Sequence, residues 1–301
     1  MKIPVWIVSG FLGAGKTTYI QQLLSSMGHQ NRTMVIENDF GSVSYDADVL
    51  ASQGVRLKAL PSGCICCSLA GNFLQALHSV LTKADVNCII IEPSGVAKVS
   101  DVLRVCERPE LRDKIMIVQV VTVVDGQKGL FYLQNFGEFF ADQIRYADRI
   151  VVNRVDLGTA WYDEMMERFR QVNGHAYIAT TPEDAISFVT KDHQLRNLPE
   201  DHDGDHDHHH HHGDEIFTAV TLEAADILSL EQWKRKVEGL LETKKGLILR
   251  LKGIVPSLKG YISIQYSGGP LEVVYTDVKG QTIIVIGSAI DAVDIQRRWE
   301  S

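Results

Sequence analysis

The feature that most constrains this chain is a glycine-rich stretch at residues 10–18, with the sequence GFLGAGKTT. It satisfies the phosphate-loop pattern G-x-x-x-x-G-K-[ST] at every fixed position. Its glycines let the backbone wrap closely around a triphosphate with the amide N–H groups turned inward. Lys16 would neutralise charge on the β- and γ-phosphates, and the Thr17 hydroxyl would ligate Mg²⁺ at the start of a helix. The nucleotide contacts expected here come from Gly10, Gly13, Ala14, Gly15, Lys16, Thr17 and Thr18.

The flanking sequence supplies the strand and the helix that a phosphate loop needs. An apolar run at residues 3–8 precedes the glycines, and Ile20, Leu23, Leu24 and Met27 follow at helical spacing. The alternative interpretation is an ordinary glycine-rich turn, which would require neither neighbour. We therefore interpret the stretch as a Walker A loop between a strand and a helix.

Composition and charge argue against several classes of partner. The chain has 301 residues, of which 45% are hydrophobic, so it can bury a substantial core and we expect two domains. The formal net charge is −8, and Lys and Arg form no concentrated run, which argues against nucleic acid and against membranes. No apolar stretch reaches about 18 residues, and no signal-peptide pattern precedes the first strand. We expect a cytoplasmic protein.

A second segment with the layout of a nucleotide site lies at residues 88–95. Residues 88–91 form a buried-strand pattern that ends in Glu92, with Gly95 three residues later, as in a Walker B and switch segment. Glu92 would hold Mg²⁺ through water, and the Gly95 N–H would contact the γ-phosphate. The alternative is that Glu92 is only the N-terminal residue of a helix. The candidate catalytic residues are Lys16, Thr17 and Glu92.

The alternation of strand and helix patterns predicts the fold class. Residues 1–199 predict an α/β domain, a P-loop NTPase with a doubly wound, mostly parallel sheet. Residues 200–214 include seven histidines interleaved with Asp, and they cannot form a core, so we interpret them as a linker. Residues 215–301 predict a smaller α+β domain with an antiparallel sheet and a last helix near residues 289–298.

Three of the five cysteines, Cys64, Cys66 and Cys67, lie within four residues of one another. An odd number of cysteines in a reducing compartment is unsuited to a disulfide framework, so the cluster indicates metal binding or redox activity. Three thiolates suit Zn²⁺ or Cu⁺, with a fourth ligand from a carboxylate, a histidine or water. The alternatives are a vicinal disulfide or simple core thiols. Cys88 and Cys106 fall in apolar stretches, where we expect buried small hydrophobic residues.

Six motifs occur in order along the chain: GFLGAGKTT at 10–18, ENDFG at 37–41, GCICC at 63–67, EPSG at 92–95, QIRYAD at 143–148 and NRVD at 153–156. In this order they resemble the CobW-type metallochaperone GTPases. The later LRLKG at residues 249–253 resembles the start of that family's C-terminal domain. The resemblance therefore covers nearly the whole chain.

The resemblance implies GTP hydrolysis coupled to the binding and delivery of a transition metal, most often zinc. Co²⁺ and Ni²⁺ are further candidates for the bound metal. The resemblance also implies that Asn153 and Asp156 read guanine, with the Asp156 carboxylate accepting the N1–H and 2-amino hydrogens. Arg154 stands where the family usually has lysine, and its planar side chain can still lie against the base. Glu37 and Asp39 would be switch carboxylates, either for Mg²⁺ or for the transferred metal, and the sequence leaves both roles open.

The leading hypothesis is a GTPase that binds guanine nucleotide with Mg²⁺, holds zinc at the cysteine cluster and delivers it to a client metalloprotein. The histidine tract would be a low-affinity reservoir for that site, or only a linker. Two alternatives remain, a metal-buffering or storage protein whose P-loop does not switch, and an ATP-dependent P-loop enzyme. The sequence offers no evident arginine finger or water-positioning glutamine, which predicts slow intrinsic hydrolysis.

Overall fold

The structure is a computed structural model of the chain. It describes residues 2–27, 32–37, 56–59, 69–83, 85–155, 158–181, 184, 186 and 217–301. The described residues fall into two compact units, one within residues 2–186 and one that spans 217–301, and each unit has its own sheet. None of the helices described in these ranges has the length and apolar character to cross a membrane.

The first unit contains a sheet of seven strands, and every described pairing between neighbours is parallel. The strands are β1 (Ile3–Ser9), β2 (Thr33–Glu37), β3 (Arg56–Ala59), β4 (Cys88–Glu92), β5 (Ile115–Asp125), β6 (Arg149–Asn153) and β7 (Tyr177–Ala179). Their order across the sheet is β3-β2-β4-β1-β5-β6-β7. The chain therefore builds the sheet outward from β1 in both directions, and the predicted doubly wound, mostly parallel sheet is confirmed.

Helices cover both faces of this sheet. They are α1 (Lys16–Met27), α2 (Leu69–Lys83), α3 (Val99–Cys106), α4 (Pro109–Arg112), α5 (Gly129–Asn135), α6 (Gly137–Arg145) and α7 (Ala160–Val172). Successive side chains of β1 point to opposite faces. Val5 and Ile7 therefore join the apolar cluster with α2 and α3, whereas Trp6 and Val8 join the cluster with α1. The two apolar clusters, one on each face of the sheet, therefore hold β1 in position and with it the loop that follows β1.

The second unit is an α+β fold, as the sequence predicts. Its strands are antiparallel, in the order β11-β10-β9-β12-β8. They are β8 (Phe217–Glu223), β9 (Leu247–Ser257), β10 (Gly260–Tyr266), β11 (Glu272–Thr276) and β12 (Thr282–Ser288), with helices α8 (Leu230–Leu241) and α9 (Ala292–Glu300). The predicted start of the last helix at residue 289 is three residues too early. Ala289 has φ 54°, which no helix residue adopts, and Asp291 caps α9 by accepting hydrogen bonds from the Val293 and Asp294 N–H groups.

Two stacked tryptophans join α8 and α9 in the core of the second unit. The rings of Trp233 and Trp299 lie 5.6 Å apart between centroids. The Trp233 Nε1–H donates to the Pro256 carbonyl at 2.8 Å, and the Trp299 Nε1–H donates to the Glu223 carbonyl at 2.7 Å. Each buried ring thus satisfies its polar atom on the sheet, which is what allows a tryptophan to be buried at low cost.

We expect Trp233→Ala to lower the free energy of unfolding of the second unit by about 3–5 kcal/mol, because it removes a fully buried ring and leaves a cavity. Urea denaturation followed by far-UV circular dichroism measures this loss. Leu258→Ala is the control, since that side chain is 69% exposed and should change stability by less than about 0.5 kcal/mol. A loss for Trp233→Ala as small as that of the control would contradict the placement of this core.

Candidate functional site

The glycine-rich loop lies between the end of β1 and the start of α1, at the carboxyl edge of the first sheet. β1 is flanked by β4 on one side and β5 on the other, and open α/β sheets bind ligands where the strand order reverses in this way. Gly10 has φ 144°, and a Cβ added there would lie 2.2 Å from the Val123 carbonyl oxygen of β5. Only glycine fits at this position. The loop therefore runs directly against the neighbouring strand.

Parallel pairing of β1 with β4 brings the predicted Walker B carboxylate to this loop. β4 ends at Glu92, whose Oε1 lies 3.8 Å from the Nζ of Lys16, the first residue of α1. The Lys16 side chain is 6% exposed and the Glu92 side chain 13% exposed, so the pair lies mostly out of water, where charges interact more strongly. Thr17 is half-buried and Thr18 is exposed. The structure thus brings Lys16 and Glu92 together.

The end of β6 reaches the same loop from the other side. Asn153 is the last residue of this strand, and its Nδ2 donates a hydrogen bond to the Ala14 carbonyl at 2.9 Å. The guanidinium of the next residue, Arg154, donates to the Gly13 carbonyl at 3.2 Å. The first two residues of the predicted guanine-reading motif therefore hold the backbone of the phosphate loop. Gly15 has φ 99°, a backbone conformation that favours glycine, and a Cβ there would lie 2.7 Å from the Asn153 Nδ2.

Asp125 is a site residue to which the sequence analysis assigns no role. It is buried at the carboxyl end of β5, and its Oδ2 lies 2.5 Å from Arg154 and 3.9 Å from the Nζ of Lys128. Its Oδ1 accepts a hydrogen bond from the Gln127 N–H at 3.0 Å. The signal that could have identified it is the one that identified Glu92, an acidic residue that closes an apolar strand. The Arg154 guanidinium thus contacts both the Gly13 carbonyl and the Asp125 carboxylate, and a planar group with several N–H donors is suited to such a double contact.

The predicted switch segment packs on the phosphate loop. A Cβ added to Gly95 would lie 2.8 Å from the backbone nitrogen of Leu12 and 2.7 Å from its Cδ2. The Ala97 N–H donates to the Ser94 carbonyl at 2.9 Å, which closes a tight turn around Gly95. The structure therefore brings the predicted γ-phosphate contact beside the predicted triphosphate cradle.

Glu37 lies next to Glu92 at the sheet edge. The two residues are direct partners in the parallel pairing of β2 with β4. Glu37 is buried, and Glu92 is half-buried. Two neighbouring carboxylates out of water repel each other unless cations lie close to them, so this edge of the sheet is chemically suited to bind positive charge.

Several predicted site residues lie outside the described residues: Asp39, Cys64, Cys66, Cys67, Asp156 and the tract 200–214. Their roles stay predictions. In the part of the chain that the structure describes, no three His, Cys, Asp or Glu side chains form a group that could hold a metal. Cys88 and Cys106 are buried, as predicted, and burial raises the pKa of each thiol to about 12.

A buried carboxylate, Asp142 of α6, lies behind the switch segment. Its Oδ1 accepts a hydrogen bond from the Ser100 N–H at 3.1 Å, in the first turn of α3. Burial raises the pKa of Asp142 above its usual value, although the hydrogen bonds from Ser100 and Val99 and the charge of Lys98 oppose that rise. The carboxylate therefore costs stability when it is ionised, and it holds the start of α3 in place.

The sequence is similar to those of known proteins. The family model of the CobW/HypB/UreG nucleotide-binding domain matches residues 4–180. Zinc chaperone YeiR of Escherichia coli K12 is 32% identical over 168 residues, which are 56% of this chain and 51% of YeiR. Zinc chaperone YjiA of the same organism is 32% identical over 191 residues, which are 59% of this chain and 57% of YjiA. The chain thus spans about half the length of the curated relatives it matches.

Among solved structures, the Zn(II)-bound YjiA GTPase from E. coli matches with a TM-score of 0.47 and 20% identity, over 100% of this chain and 98% of that chain. This likeness carries no argument for function, and membership of the family follows from the match of the family model over more than half of the chain. The matched range 4–180 contains every described residue of the site.

We expect Asp142→Asn to change how stability depends on pH. The folded chain binds the Asp142 proton more tightly than the unfolded chain does, so wild-type stability falls as pH rises from the usual carboxyl pKa through the raised one. The asparagine oxygen still accepts from the Ser100 N–H but never ionises. The unfolding free energy of the variant minus that of the wild type should therefore rise as the pH increases from the usual carboxyl pKa of about 4 through the raised pKa.

Urea denaturation over this pH range measures that difference. Asp163→Asn is the control, because Asp163 is exposed on α7. Parallel pH curves for Asp142→Asn and wild type would mean that burial does not raise the pKa of this carboxyl.

Proposed function

This chain belongs to the CobW/HypB/UreG nucleotide-binding family, and we propose that it is a P-loop GTPase that carries a transition metal. It would bind GTP with Mg²⁺, hold Zn²⁺ as cargo, with Co²⁺ or Ni²⁺ as related cargoes, and deliver the metal to a client metalloprotein in the cytoplasm. The bound nucleotide would control when the metal is held. Two relatives are called zinc chaperones, which supports zinc as the first metal to test.

The observation that carries the proposal is the contact between β6 and the phosphate loop. Asn153 and Arg154 donate hydrogen bonds to the carbonyls of Ala14 and Gly13. These bonds tie the predicted base-reading motif to the predicted triphosphate cradle, so one nucleotide could occupy both. Asp156 would then accept the N1–H and 2-amino hydrogens of guanine. A site built to hydrogen-bond those groups rejects a base that lacks them, which favours GTP over ATP.

Residues at the phosphate end fit the triphosphate and Mg²⁺. Thr17 offers a hydroxyl and Glu92 a carboxylate, and these are the hard oxygen ligands that Mg²⁺ prefers. Lys16, in a site mostly out of water, would stabilise the negative charge that develops during phosphoryl transfer. Gly95 would meet the γ-phosphate. Such catalysis depends mainly on positioning and electrostatics, and without an arginine finger we expect slow hydrolysis with the nucleotide acting as a switch.

The cargo site would be the cluster Cys64, Cys66 and Cys67, because three thiolates form a strong zinc site. The pairing of β2 with β3 supports a position close to the nucleotide. Its last register pair is Glu37 with Ala59, and Cys64 follows Ala59 by five residues, which span at most roughly 18 Å. Glu37 and Asp39 would be the carboxylates between the two sites, for Mg²⁺ or for the carried metal. This arrangement would let the nucleotide state affect the metal.

We expect Lys16→Ala to lower kcat/KM for GTP at least about 100-fold, because the variant loses the ammonium that would neutralise phosphate charge. Phosphate release measured under single-turnover and steady-state conditions tests this. Lys2→Ala is the control, because it removes an exposed lysine that precedes β1, and it should leave hydrolysis unchanged. If kcat/KM for GTP were the same in Lys16→Ala as in the wild type, the result would instead favour a metal-buffering protein whose P-loop does not switch.

We expect Cys66→Ser to lose tight zinc binding and to keep its affinity for GTP, because a serine hydroxyl does not become the anionic ligand that zinc needs. Zinc stoichiometry of protein purified without a metal-affinity step measures the effect. Cys106→Ala changes a buried thiol in α3 and should keep its zinc. A full complement of tightly bound zinc in Cys66→Ser would remove this cysteine from the proposed cargo site.

A further inference from the structure

We propose that Gln143 is a positioning residue for the GTPase reaction, which holds the turn around Gly95 against the phosphate loop so that this turn recognises the γ-phosphate. The inference rests on the proposed function and extends it to a residue in α6 that would touch neither nucleotide nor metal. It assigns to one buried amide the ability of the site to distinguish GTP from GDP.

The carboxamide of Gln143 binds both sides of the Gly95 turn. The side chain is fully buried, and its Nε2 donates to the Gly95 carbonyl at 3.1 Å and to the Ala97 carbonyl at 3.0 Å. Carbonyls can only accept hydrogen bonds, so the amide nitrogen must face them and both of its hydrogens are used. Since the Ala97 N–H also bonds to the Ser94 carbonyl, rotation of the peptide groups in this turn is restricted.

Gln143 is itself held from the sheet. Its backbone carbonyl accepts a hydrogen bond from the hydroxyl of Thr122 at 2.6 Å, and Thr122 is fully buried in β5. The preceding residue, Asp142, accepts from the Ser100 N–H. Two consecutive residues of α6 therefore hold the switch segment at two places, the Gly95 turn and the start of α3. The turn is therefore held in place through Gln143 by β5, the strand against which Gly10 also packs.

The front of the turn lies on the phosphate loop. A Cβ on Gly95 would lie 2.8 Å from the Leu12 nitrogen, so loop and turn are in direct backbone contact. Gly95 therefore has the phosphate loop on one side and Gln143 on the other. The motif layout assigns the Gly95 N–H to the γ-phosphate, which GTP carries and GDP lacks. Loss of Gln143 should then weaken binding of GTP and leave the contacts made to GDP intact.

The test is Gln143→Glu in the full chain. A carboxylate has the same shape as the amide but cannot donate to the two carbonyls. Dissociation constants are measured for a non-hydrolysable GTP analogue and for GDP, together with kcat and KM for GTP. We expect the affinity for the GTP analogue to fall at least about tenfold, the affinity for GDP to change by less than about threefold, and kcat to fall.

Asn173→Asp is the matched control. Its Nδ2 donates to the carbonyls of Ile144, Arg145 and Ala147 at 2.9, 3.0 and 2.9 Å, so this amide holds the C-terminal end of α6 and not the Gly95 turn. It makes the same change from amide to carboxylate at a residue that bonds to the same helix but not to the Gly95 turn, so it should leave the ratio of GTP-analogue to GDP affinity unchanged. Gln143→Asn is a second variant, neutral and one methylene shorter, which cannot reach both carbonyls and should lower the same ratio even where Gln143→Glu fails to fold.

If the Gln143 variants lost affinity for the GTP analogue and for GDP equally, Gln143 would have only a structural role, and the proposal would be overturned. An unchanged affinity ratio in both variants, or an Asn173→Asp variant that lowers the ratio as strongly, would overturn it too. Failure of the proposed function gives a different result, because wild type would then bind neither nucleotide. The positioning role is supported only where wild type distinguishes the two nucleotides and the Gln143 variants lose that distinction.

Discussion

Every described part of the site depends on the parallel pairing of β1 with β4 on one side and with β5 on the other. That pairing sets the carboxyl ends of the central strands at one edge, where the chain must turn back into a helix. Gly10 turns there in contact with the Val123 carbonyl, which leaves no room for a side chain. β4 then delivers Glu92 beside Lys16, and β6, paired to β5, delivers Asn153 beside Ala14.

The same edge concentrates charge, which explains why it suits both a nucleotide and cations. Glu37, Glu92 and Asp125 close three strands of one sheet. Arg154 contacts Asp125, and Lys16 lies beside Glu92. Within the described residues, the carboxylates of Glu37 and Glu92 are neighbours in register, so a metal that binds near one changes the field at the other. A triphosphate with Mg²⁺ and a carried metal would therefore affect each other electrostatically at this edge.

The local parts of this arrangement could be predicted from the sequence, and the long-range parts could not. The phosphate loop, its strand and helix, and the acidic ends Glu37 and Glu92 are visible as motifs and periodicity, and the structure confirms the helix and the strands that these residues follow or close. Asp125 carries the same signal as Glu92, but its partner Arg154 is 29 residues away. Gln143 lies 48 residues from Gly95. Only the folded chain brings such pairs together, because spacing in the sequence does not encode which strands and helices become neighbours.

Control of metal binding by the nucleotide is tested most directly by the zinc dissociation constant of the full chain. It should be measured by competition with a chelator for the protein without nucleotide, with GDP and with a non-hydrolysable GTP analogue. If the γ-phosphate reorganises the edge that Glu37 and Glu92 share, the zinc affinity with the GTP analogue should differ from that with GDP by at least about tenfold. Equal zinc affinity in all three states would contradict the coupling between the two sites.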